Sequence, residues 1–83
     1  MNSKVLYHVC IIAEIVSDID KFGGVEVKLG TEESAALIAG NKLLGSSSIM
    51  TKLGVMMDEG SVRFGPEERG DISRMRMSLM NSI

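Results

Sequence analysis

The first residues to weigh for chemistry are one histidine, one cysteine and a close pair of aspartates. His8 has no Cys, Asp or Glu at metal-ligand spacing, and Glu14, six residues on, falls on a different helical face, so His8 reads as structural. Cys10 lies among Val9, Ile11 and Ile12, where a buried, inert thiol is expected. Asp18 and Asp20 lack the further oxygen ligands of a calcium loop, and the glycines form no phosphate-binding motif. No base, nucleophile and oxyanion donor can be assembled, so the expectation is a protein that is not an enzyme, with no cofactor and no metal. What remains is a set suited to phosphates. Ser47, Ser48 and Thr51 offer hydroxyl donors, while Lys42, Lys52, Arg63 and Arg69 offer positive charge.

Positioning that set falls to a short series of elements. From Lys4 to Phe22, Val5, Val9, Ile12, Val16 and Ile19 share one side of a helix, and Lys4, His8, Glu14, Asp18 and Lys21 lie near the other. Its β-branched residues keep a strand open as an alternative for part of this stretch. Gly23-Gly24 stops it, and Val25-Glu26-Val27-Lys28-Leu29 alternates as a strand with one buried face. Thr31 before Glu32 and Glu33 reads as the N-cap of a second helix running to about Gly40. Any serine of Ser46-Ser47-Ser48 can cap a third helix, placed at about residues 47–59, and Gly60 ends it. Ser61 to Gly65 alternates as a strand. Beyond the turn-rich Pro66 to Asp71, the period-two pattern Arg74-Met75-Arg76-Met77-Ser78-Leu79 predicts a second strand, although Ile72, Met75, Leu79 and Ile83 also fit a helix face.

Eighty-three residues with 45% apolar content make one α+β domain over 1–83, which would bury about 60% of its unfolded surface. An oligomer would relieve that marginal stability. Aromatic residues are scarce and seven methionines replace them as filler, some of them suited to a partner surface. The net charge of −2 gives no global case for nucleic acid. The halves differ: Met1 to Asn41 holds three cations against six acids, and Lys42 to Ile83 six against five. A lone cysteine favours a reducing compartment, by default the cytoplasm. The apolar run Val5 to Ala13 is too short and polar to cross about 30 Å of hydrocarbon, and no cleavage site follows it, so no membrane contact is expected.

The order helix, strand, helix, helix, strand, strand resembles the winged helix-turn-helix superfamily. The finer match runs from Leu44-Gly45 to Ile49, Leu53, Met56, Gly60 and Val62: a small-residue turn, apolar positions along one helix face, and a glycine before the first wing strand. Asn41-Lys42-Leu43-Leu44 departs from the pattern as a long linker, and Glu67, Glu68 and Asp71 put acids on the presumed wing, where they would repel phosphates.

The resemblance implies a small transcriptional regulator that binds double-stranded DNA with its third helix in the major groove. Ser47, Ser48, Thr51 and Lys52 would then face the duplex, Lys42 and Arg63 would meet flanking phosphates, and Arg69 would reach a minor groove. It also implies a homodimer, for which the apolar face of the first helix is the candidate contact. The alternative is a winged-helix-like protein-interaction module, such as a small bacterial or viral adaptor or inhibitor, without DNA binding.

Overall fold

The computed structural model describes residues 2–83, arranged as α1 (Ser3–Phe22), β1 (Val25–Lys28), α2 (Glu32–Leu44), α3 (Ser47–Glu59), β2 (Ser61–Phe64) and α4 (Pro66–Asn81). This is a mostly helical α+β fold in which the order differs from expectation at its last element: residues 72–81 are helix, not a second wing strand. The Gly65-Pro66-Glu67-Glu68 stretch is a helix start. Pro66 fixes φ at the first turn, Glu67 and Glu68 lie where the helix dipole favours acids, and the Glu68 carboxylate accepts the Gly65 amide at 2.8 Å. Ile72, Met75 and Leu79 then recur at helical spacing and are buried, whereas Met77, which alternation would have placed inward, is half exposed.

α1 begins at Asn2, whose side-chain oxygen accepts the amides of Lys4 and Val5, and ends at Gly23, which takes the left-handed conformation at φ 78°. It is helical throughout. Packing of Val9, Ile11, Ile12, Ile15 and Ile19 against α2 and α4 outweighs the weak helix propensity of its β-branched residues. One sequence assignment changes here, Cys10 being exposed instead of buried, while His8, grouped with the polar side of the helix and read as structural, is buried. The apolar face considered for a dimer contact lies inside the fold, against α2, α4 and β1.

α2 opens on a reciprocal capping box, Ser34 N to Thr31 Oγ1 at 3.2 Å and Thr31 N to Ser34 Oγ at 3.0 Å. Tyr7 Oη donates a short hydrogen bond to Glu32 at the same end, which raises the tyrosine's pKa. The helix continues through Gly40 to Leu44, so the residues read as a long linker form its last turn. Gly40 has a packing reason to be in mid-helix: a Cβ there would collide with the Met75 side chain of α4.

β1 and β2 pair antiparallel with Val25 opposite Phe64 and Val27 opposite Val62, so their inward face joins the helical core while Glu26 and Arg63 face outward. Val27 and Phe64 are buried, as is Met56 of α3. Gly60, at φ 86°, makes the reversal from α3 into β2, in keeping with the spacing read from the sequence. No helix among the described residues is long and apolar enough to cross a membrane.

Candidate interaction surface of the third helix

α3 is set on the fold by a fixed turn. The Asn41 side chain clamps Ser46 at two points, accepting its amide at 3.0 Å and donating to its carbonyl at 3.2 Å. Among the three serines it is Ser46 that caps α3, accepting the Ile49 amide, and its hydroxyl also donates to Asp71 of α4 at 2.8 Å. Asp71 in turn holds Arg74 at 2.9 Å. Asn41 and Ser46 thus carry the turn geometry, and only the possible capping role of a serine was visible beforehand.

On this frame the seven residues assigned to DNA divide. Ser47, Ser48 and Thr51 lie exposed on the first turns of α3, and Thr51 Oγ1 donates back to the Ser47 carbonyl at 3.0 Å. Lys42 is exposed but belongs to the last turn of α2, where it borders a hollow with Lys4, Val5 and His8 of α1.

The other three cations are engaged inside the fold. Lys52 Nζ donates to the Arg63 carbonyl at 2.6 Å, pairs with Glu68 at 3.1 Å and stands 5.7 Å from the centre of the Phe64 ring. Glu68 is itself buried, so the presumed wing acid is the counter-ion of the presumed recognition lysine. Arg63 reaches back over Gly24 to donate to the Gly23 carbonyl at 3.4 Å. Arg69 sits on α4, not on a wing, and makes a two-point pair with Asp20 of α1 at 2.7 and 3.0 Å. That pair holds the Asp20 carboxyl below the usual carboxylate range and raises the Arg69 guanidinium.

α3 therefore carries three charges, Lys52, Asp58 and Glu59, and the cation is turned towards β2 and α4. Its last turn has two acids and no base, an arrangement the helix dipole disfavours. On the flank away from Lys52, Met50, Gly54 and Met57 line up at i, i+4 and i+7. Met50 and Met57 are each 60% exposed, the largest values among the apolar side chains of the helices' interiors. Gly54 sits mid-helix with nothing near the position a Cβ would take, so no contact within the fold accounts for its cost of about 1 kcal/mol.

A second hollow, of about 180 Å³, lies between α1 and β1 and is lined by Glu14, Asp18, Glu26 and Glu33 with Lys28. These carboxylates are not gathered closely enough for a metal site among the described residues.

No family model, no curated protein and no solved structure matches this chain.

Proposed function

We propose that the protein is a small interaction module whose contact surface is the Met50–Gly54–Met57 flank of α3, paired with the same flank of a second copy. The carrying observation is the exposed, unaccounted-for Gly54 between two exposed methionines. A helix crossing at a glycine can approach closely, and methionines on either side adapt to what they meet.

The helix is self-complementary in an antiparallel pairing. A two-fold axis passing between Leu53 and Gly54, near the midpoint of Ser47–Glu59, sets Met50 against the second copy's Met57. The same operation brings Asp58 and Glu59 to the N-terminal end of the other α3, where Ser47 and Ser48 lie and the dipole is positive. The unfavourable acids of one helix end thereby gain a partner. Two such short helices bury well under the roughly 800 Å² per partner of a stable interface, so the pairing is weak and reversible.

This homodimer uses α3 in place of α1. In this reading α3 serves protein contact and not the major-groove contact expected from the sequence. Sedimentation equilibrium of the wild type and Gly54→Arg tests it. A monomer–dimer equilibrium in the high-micromolar range, lost in the variant, is the expected result. A wild type that stays monomeric at millimolar concentration overturns the pairing.

A further inference from the structure

We infer that the hollow between the start of α1 and the ends of α2 and α4 binds a small organic anion, a single anionic head on an apolar body. It is a shallow depression, broadly open to solvent, that offers about 430 Å³, within the range of small-molecule sites. Its floor is apolar, formed by Ala39, Leu43 and Leu79, and its charged lining consists of Lys4 and Lys42 with no acid among the described residues. Both lysines stand outside the ion pairs of the fold. In a chain of net charge −2 this all-cationic lining is a local reversal of sign.

His8 supplies the independent observation. Its side chain lines the hollow and is more than nine-tenths buried, yet no side-chain hydrogen bond of the fold uses its ring. Every fully sealed side-chain nitrogen or oxygen among the described residues has a partner, so the ring nitrogens of His8, which have none, keep some access to solvent, and His8 is one of the residues lining the hollow. A bound anion would accept from the histidine and the lysine ammoniums together, and its apolar body would cover Leu43, which is 53% exposed, and the edge of Leu79. The lysines lie on two different helices, so the ligand would also bridge α1 and α2.

The test is a titration of the ¹⁵N-labelled protein with octanoate, with octanol and acetate as the neutral and the headgroup-only controls. Saturable shifts confined to Lys4, His8, Ala39, Lys42 and Leu43, at octanoate concentrations where octanol and acetate produce none, are expected. Each of Lys4→Gln and Lys42→Gln, both exposed and unpaired, should weaken binding about three- to tenfold without changing the dispersion of the spectrum. No saturable response to octanoate, equal binding of octanol, or affinity unchanged in the Lys4→Gln/Lys42→Gln double variant would each overturn the assignment.

Discussion

The two flanks of α3 behave as opposites. On the flank towards β2 and α4, Lys52 is tied to the Arg63 carbonyl and to the buried Glu68, whose other role is to hold the Gly65 amide at the start of α4. On the other flank Met50, Gly54 and Met57 touch little or nothing of the fold. The charge of the first flank is therefore matched within the chain, and the apolar side chains of the second are left exposed. A lysine's type and its helix do not make it a ligand; what matters is whether its charge is already matched within the chain.

Substitutions on the two flanks should accordingly differ in sign. Glu68→Ala has the largest expected effect, a loss of about 2–3 kcal/mol in urea unfolding, because it removes the α4 cap and leaves Lys52 without its counter-ion. Lys52→Ala strands a buried carboxylate but removes a side chain that is one-third exposed, so about 1–2 kcal/mol is expected. An unfolding midpoint unchanged in Lys52→Ala would return Lys52 to the role of a free surface cation. On the opposite flank, Gly54→Ala should stabilise the monomer by about 0.5–1 kcal/mol, since the added methyl meets nothing and helix propensity improves. Destabilisation there would mean that the fold itself needs the glycine.

The smallest expected effect concerns the exposed Asp20–Arg69 pair, which ties α1 to α4. Pairing lowers the folded-state pKa of Asp20, so its contribution is complete above the ordinary carboxylate value and is lost as pH falls from about 4 through the lowered one. Arg69→Gln should lower the neutral plateau slightly and make the acid limb shallower, with the two proteins converging at low pH. An identical acid limb would show that the pair contributes nothing in solution.

Most of the fold was legible in the sequence because its signals are local: the Thr31 cap, the alternation of Val25 to Lys28, and Gly60 ending α3 before Ser61 to Phe64. α4 was misread because Arg74 to Leu79 alternates over a short window. The longer-range spacing of Ile72, Met75 and Leu79 and the helix-start chemistry of Pro66-Glu67-Glu68 decide it. Gly40, and with it the last turn of α2, was hidden because its reason lies across the fold at Met75.

The site was less legible. Ser47, Ser48, Thr51 and Lys42 are exposed as expected, but no local pattern reveals that Lys52 faces Glu68 sixteen positions on or that Arg69 reaches Asp20 forty-nine positions back. Gly54 was the available signal for the spare flank, a glycine within a helical pattern that no turn requires.

The account is tested most directly by one set of amide spectra, recorded while the protein is diluted from millimolar to low micromolar concentration and then mixed with duplex DNA at low salt. Dilution should shift the Met50 to Asp58 amides and the first turn of α3, with Lys42, Arg63 and Arg69 unmoved, and the duplex should shift none of them. A spectrum insensitive to dilution, with Ser47, Ser48 and Thr51 responding to DNA, would contradict the account and restore α3 as a recognition helix.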